Sequence, residues 1–317
     1  MGRKTKDSGI DGLLVVDKPA GWTSHDVVAK CRGVFRQKRA GHSGTLDPDA
    51  TGVLLIGFGH VTKVLSLLTA LPKTYTGEVV LGTETSSLDA SGDVLRTYDM
   101  SAVTIDDVRR TAATFVGDIL QVPPMVSAIQ IDGVRLHELA RQGIEVERPA
   151  RPVTVYRYDI HDEVAPGVFS VTVECSSGTY IRSLAADVGT ALGGGAHLRN
   201  LRRTAIGSFT VGDAVLVDDA LGDAELLRPV EALRDYPVVA VDAAAAALVA
   251  NGRVLSSMAF DRVDTGPLDH GGSANERLPG AGVPHWGVLG PDGELLAVYE
   301  RAGDGLVKPS VVFPARS

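Results

Sequence analysis

Between Gly41 and Leu54 the chain sets three glycines, a proline, a histidine and two carboxylates into fourteen residues, Gly-His-Ser-Gly-Thr-Leu-Asp-Pro-Asp-Ala-Thr-Gly-Val-Leu. It then runs directly into the apolar Leu55-Ile56. Polar groups on a tight, glycine-rich loop beside an apolar strand suit catalysis, although the same residue types also build surface turns. A carboxylate held on such a loop could act as a nucleophile that divides one difficult substitution into two easier steps. Asp47 and Asp49 together could instead serve a hydrolase as an acid/base pair. Residues two apart on a proline-interrupted loop need not face one cleft, however, and no metal-ligand spacing accompanies them.

Further candidates lie downstream. Tyr75 sits in Lys73-Thr74-Tyr75-Thr76-Gly77-Glu78-Val79-Val80-Leu81-Gly82, an alternating stretch that predicts a strand, where an aromatic is ordinarily half-buried. Arg182 falls where Ser176 to Gly189 turns from strand to helix. An arginine at a helix start is disfavoured by the dipole unless an anion pairs with it. Lys30, Arg32, Arg36, Lys38 and Arg39 form a basic run ending beside the Asp47 loop, and Arg199, Arg202 and Arg203 form a second cluster. Such clusters track phosphates or simply solvate an exposed face.

These residues need elements to position them. The stretch Gly12 to Trp22 reads as a short buried strand that Pro19 and Gly21 then stop in a turn. Ser24 is a candidate N-cap for a helix to about Gln37, with Val27, Val28, Cys31, Val34 and Phe35 on one face. The motif loop leads into a strand from Val53 to Phe58. Further on, Thr104 caps a helix through Phe115, and a strand starts only after Pro124. Leu136 to Gly143 forms a short helix, and strands run over Val153–Ile160 and Phe169–Cys175. The pattern weakens around Asp218 to Tyr236. Beyond it, an alanine-rich helix from Val241 to Gly252 and short strands near Val254, Trp286–Leu289, Leu295–Tyr299 and Val307–Phe313 suggest a small β-barrel. Residues 258–285, rich in Gly, Asp and Pro, read as a long mobile insertion.

The composition bounds the class. A chain of 317 residues suggests two domains, and 44% hydrophobic with 22% charged residues is an ordinary globular balance. No apolar run is long enough to span a membrane, and the basic start, Met1 to Gly9, lacks the apolar segment of a signal peptide. The two cysteines, Cys31 and Cys175, lie far apart without zinc-ligand spacing, which fits a reducing cytoplasm. The net charge of −8 is uneven: residues 218–317 carry −7 and residues 1–217 only −1. No nucleotide-binding glycine motif is present.

The Asp47 segment closely resembles the Gly-Thr-Leu-Asp-Pro-x-Ala-x-Gly-Val-Leu motif of the TruB family of tRNA pseudouridine synthases, whose aspartate is essential. Asp17-Lys18-Pro19-Ala20-Gly21 is similar to the family's N-terminal Asp-Lys-Pro-x-Gly, which supports the active-site loop. Tyr75, in Lys-x-Tyr-x-x-x-x-x-Leu-Gly with Thr85 and Asp89 downstream, resembles the tyrosine that stacks on the target base. Pro123-Pro124 to Ala128, followed by Ala140 to Val146, also resembles the family. Gly178-Thr179-Tyr180-Ile181-Arg182-Ser183-Leu184 resembles the segment whose arginine faces the catalytic aspartate and, as an opposite charge, keeps it ionised. Leu198 and Leu201 would complete the pocket wall. The resemblance, strong over about 10–215, implies catalytic roles for Asp47, Tyr75 and Arg182. It implies substrate contacts from His42, Lys18, Tyr180, Leu201 and Arg202.

It further implies an α+β fold: a bent, mostly antiparallel mixed sheet flanked by helices, with a small C-terminal PUA-like β-barrel domain. The expected organisation is a flexible tail over 1–9, a catalytic domain over 10–235 and a PUA-like domain over 236–317. The expected reaction isomerises uridine 55 in the tRNA T loop, by base flipping, with no cofactor or metal. The expected partner is the T-arm stem-loop, bound by a cytoplasmic monomer that uses neither a membrane nor a nucleotide cofactor. A tRNA-binding folding chaperone without catalysis is the alternative.

Overall fold

The computed structural model describes residues 9–127, 130–131, 134–135, 144, 146–257, 284–303 and 305–314, with side chains for all but 130–131, 134–135 and 219–220. The expected helix over Leu136–Gly143, residues 1–8 of the tail and residues 258–283 of the insertion lie outside these. The chain divides into two compact units, one of residues 1–72 with 205–317, the other of residues 73–204.

The first unit is built on the antiparallel pair Gly12–Lys18 and Thr51–Phe58, in register from Gly12 opposite Phe58 to Lys18 opposite Gly52. Both strands read as unbroken apolar runs because both of their faces are covered. Leu13, Val15, Val53 and Leu55 point into a core with Leu68, Phe209, Leu233 and Phe313. Leu14, Val16, Leu54 and Ile56 point into another with Val27, Val28 and Cys31 of the helix Ser24–Val34. The short strand Ala40–Ser43 pairs with the far side of Thr51–Phe58, so residues 44–50 are the loop of a hairpin. Gly12–Lys18 also pairs in parallel with Val215–Leu216, and Leu13 bridges to Leu227.

The second unit carries the strands Ala196–Ile206 (up to Thr204), Lys73–Leu81, Val168–Cys175, Arg151–Ala165 and Gly117–Gln121, neighbours in that order. Lys73–Leu81 alternates buried and half-buried residues along its whole length, the pattern of one covered face. Helices Ile105–Ala113 and Ile181–Ala191 accompany the sheet, and Thr104 with Asp107 forms a capping box on the first. The short hairpin Thr83–Thr85 with Val94–Thr97 stands apart as its own ladder.

Near the C-terminus, Val238–Ala240, His285–Leu289, Leu295–Gly303, Leu306–Val312 and Leu255–Ser256 form a five-stranded sheet in that order. Val239, Trp286, Val288, Ala297 and Tyr299 bury its inner face with Val249 of the helix Ala243–Ala250, which Asp242 caps. This accords with the expected small PUA-like unit, and the fold class is the expected α+β.

Two local expectations change. The N-cap of Ser24–Val34 is Thr23, whose hydroxyl and backbone close a capping box with Asp26, and the helix ends at Val34 rather than near Gln37. Arg36, at φ 50°, is left-handed and cannot extend it. Ser24 is buried and its hydroxyl is used elsewhere. The strands Ala40–Ser43, Gly117–Gln121 and Ala196–Ile206 have no counterpart in the sequence expectations.

Candidate active site

Asp47 is half-buried at the centre of the hairpin loop, and the chain on each side of it is fastened. On one side, the Ser24 hydroxyl accepts from the Leu46 backbone N–H at 2.9 Å and donates to the Leu46 carbonyl at 3.3 Å. On the other, the Pro48 carbonyl accepts from the Lys18 ammonium and from the Gly21 N–H, both at 2.9 Å. Leu46 and Ala50 are buried, whereas Pro48 and Asp49 face solvent. Gly44 and Gly52, at φ 84° and 105°, make the two sharp bends that turn the loop out of the hairpin. The aspartate thus projects from a backbone whose neighbours are immobilised, as a reacting group requires.

Lys18 is fully buried, and its ammonium donates to the carbonyls of Pro19, Trp22 and Pro48 at 2.9, 2.7 and 2.9 Å. A buried ammonium needs such oxygens to replace its lost water. Here they join the Asp-Lys-Pro turn to the Asp47 loop. Lys18 therefore stands in the support of the loop rather than on a surface open to a substrate. His42, half-buried on Ala40–Ser43 opposite Ile56, meets His25 of the neighbouring helix ring to ring.

In the second unit, Tyr75 lies opposite Val173 on the buried face of Lys73–Leu81, 9% exposed. Lys73 shares that face two residues earlier and is buried too. Desolvation, helped by the Arg203 charge, lowers its pKa to about 7. Arg203 is 1% exposed. The second basic cluster is therefore divided: Arg203 points inward, Arg199 forms an ion pair with Glu78, and Arg202 and Leu201 are half-buried.

Arg182 occupies the first turn of Ile181–Ala191 and is 4% exposed. Its guanidinium donates to the carbonyls of Ser87 and Val126, each at 2.8 Å, and lies 3.6 Å from the Asp89 carboxylate. Asp89 in turn accepts from the Ser87 hydroxyl at 2.6 Å and from the Ser91 hydroxyl and N–H at 2.6 and 3.0 Å. The turn before it is strained, with Leu88 at φ 63°. Tyr180, the N-cap residue, exchanges two backbone hydrogen bonds with the buried Gln121 side chain, at 2.8 and 3.1 Å.

Ser24, Gln121 and the ionic role of Asp89 escaped the sequence reading. Ser24 and Gln121 act on residues 22 and 59 positions away, and only the unusual exclusion of polar side chains from solvent marks them. Lys73 could have been found, because it has the same parity as Tyr75 on an alternating strand.

The fold can be matched to known ones. It superimposes on a chain of a Cbf5-Nop10-Gar1 complex with a TM-score of 0.68 and 26% identity, covering 96% of this chain and 84% of that one. A chain of an H/ACA RNP bound to a substrate RNA containing 2′-deoxyuridine gives the same TM-score at 23% identity, covering 96% and 86%. The profile of the TruB family pseudouridylate synthase N-terminal domain matches residues 32–181, and that of the tRNA pseudouridylate synthase B C-terminal domain matches residues 182–234. Fold and motif loop together define a pseudouridine synthase, an isomerase. Among relatives, the tRNA pseudouridine synthase B of Streptomyces coelicolor is 43% identical, covering 96% of this chain and 97% of that protein. That of Mycolicibacterium paratuberculosis is 46% identical over 96% and 98%, and that of Arthrobacter sp. 40% over 96% and 97%. The chain belongs to the TruB family.

Proposed function

We propose that this synthase acts on tRNA and isomerises uridine 55 in the T loop, with Asp47 as its nucleophile. The observation that carries the reading is the bracing of Asp47 within the family's motif: Leu46 is tied to Ser24 and Pro48 to Lys18 and Gly21. The reaction breaks the N1–C1′ bond, turns the base and forms C5–C1′, while C5 loses its proton and N1 gains one. Atoms balance without a redox partner. Only a positioned carboxylate and a held base are needed.

In this reading the target nucleotide is flipped out of the stack, at a cost of a few kcal/mol that stacking on Tyr75 offsets. Arg182, by the family resemblance, is the cation that keeps Asp47 ionised. Tyr180, Leu201 and Arg202 contact the nucleotide, and His42 engages the RNA strand. Residues 10–235 serve as the catalytic domain and 236–317 as an accessory RNA-contacting domain, in a cytoplasmic monomer. The exposed Arg32, Arg36, Lys38 and Arg39 beside the loop supply cationic surface for the T arm.

The test is tritium release from C5-labelled uridine in a T-arm stem-loop transcript, comparing wild type with Asp47→Asn and Asp49→Ala. Release by wild type and Asp49→Ala, abolished in Asp47→Asn, is expected. Tight binding without release by wild type would establish a chaperone instead. Loss in Asp49→Ala would overturn the single-carboxylate assignment.

A further inference from the structure

The contact between His25 and His42 is used by nothing in the reaction described so far. Their ring centroids are 5.4 Å apart and the planes cross at 83°, an edge-to-face pair. Both rings are carried by parts that also hold Asp47. His25 is the second residue of Ser24–Val34, and it follows the serine that fastens Leu46. The first turn of that helix is closed by the Thr23–Asp26 capping box, so the His25 backbone is rigid although its side chain is exposed. His42 is in register with Ile56 on the hairpin whose loop bears Asp47, five residues before it. An exposed histidine has many rotamers open to it. This one instead places its ring against a half-buried neighbour at the rim of the catalytic loop, and an aromatic pair in this geometry favours one ring orientation.

We infer that His25 is a positioning residue for RNA engagement: it acts through His42, whose ring it holds in the orientation that meets the RNA strand beside the target uridine. The inference rests on the reading of His42 as an RNA contact. It assigns His25 no part in bond making. Losing His25 therefore weakens substrate capture and leaves turnover of bound RNA intact.

Steady-state kcat and KM for the T-arm stem-loop, read by tritium release, test this with wild type, His25→Ala, His25→Phe, His42→Ala and the His25→Ala/His42→Ala double variant. His25→Ala is expected to raise KM roughly three- to ten-fold, the range an aromatic pair supports, with kcat within about two-fold. His25→Phe keeps a ring and is expected to return KM to within about two-fold of wild type. The double variant is expected to be no worse than His42→Ala, since the two residues act as one unit. An unchanged KM in His25→Ala, a His25→Phe no better than His25→Ala, or additive losses in the double variant would overturn the inference. His25→Phe keeps the comparison decisive even if His25→Ala folds poorly. A His42→Ala variant with normal KM would overturn the inference together with the role of His42, leaving Asp47 untouched. Absence of release by wild type would instead defeat the proposed reaction itself.

Discussion

The ammonium of Lys18 lies 2.9 Å from the Pro48 carbonyl, thirty residues away in sequence, and so ties the end of the strand Gly12–Lys18 to the residue after Asp47. Lys18→Met should leave three carbonyls without their cation, two of them in the turn and one in the loop. The expected loss of stability is about 2–4 kcal/mol, part of the cost being offset because a buried charge is removed as well. Activity should fall in kcat by at least about ten-fold while KM for the stem-loop changes little, because the loop, not the RNA surface, is disturbed. Urea unfolding and steady-state kinetics on the same preparation check both halves.

Thr23 and Ser24 are neighbouring hydroxyl residues with different tasks. Thr23→Ala removes a helix cap and should cost about 1 kcal/mol of stability, with kcat nearly unchanged. Ser24→Ala removes both hydrogen bonds to Leu46, and it should cost a similar amount while lowering kcat several-fold. Equal kinetic effects from the two variants would refute this division of labour.

Asp89→Asn should lower stability by about 1–3 kcal/mol, because the buried Arg182 guanidinium loses the charge of the Asp89 carboxylate beside it while the serine contacts partly survive. Asp89→Glu should be no better, since the longer side chain does not fit a turn strained at Leu88. Thermal unfolding of the three proteins side by side reads the order.

Lys73 predicts a pH dependence of stability. Its folded pKa is about 7 and its ordinary value 10.5, so between these the unfolded chain holds a proton that the folded chain has shed. Stability therefore rises with pH from about 7, by at most about 1.4 kcal/mol per unit. Burial pushes the Cys31 and Cys175 thiols up to about 11 and about 12 from 9.0, and above pH 9 these ionise first in the unfolded chain and bend the slope downward. Denaturation midpoints should climb between pH 7 and 9, and Lys73→Met should flatten that climb.

The motif loop was legible because its glycines, proline and aspartate are local, and so was the strand of Tyr75, whose alternation survives intact in the burial of Lys73–Leu81. The strand Ala196–Ile206 was not. Its His-Leu-Arg-Asn-Leu-Arg-Arg run lacks alternation, and Asn200, at φ 53°, shifts the facing so that Arg203 turns inward. The choice between Thr23 and Ser24 as cap was equally hidden, because either hydroxyl caps a helix and only Leu46, 22 residues on, decides between them. Arg182 announced itself as a helix-start arginine in need of an anion. That Asp89 is an anion beside it depends on a turn folded by Ser87 and Ser91.

The first unit is interrupted by the second: Leu13 bridges to Leu227, and residues 73–204 emerge between them. A ribosome adding roughly 5–20 residues per second leaves Leu13 waiting on the order of 10–40 s for its bridge partner Leu227. The inserted unit, continuous in the chain, can condense during that interval. Synthesis therefore completes the unit that carries Tyr75 and Arg182 before the unit that carries Asp47, and a nascent chain halted before Leu227 lacks the bridge to Leu13 of its first strand.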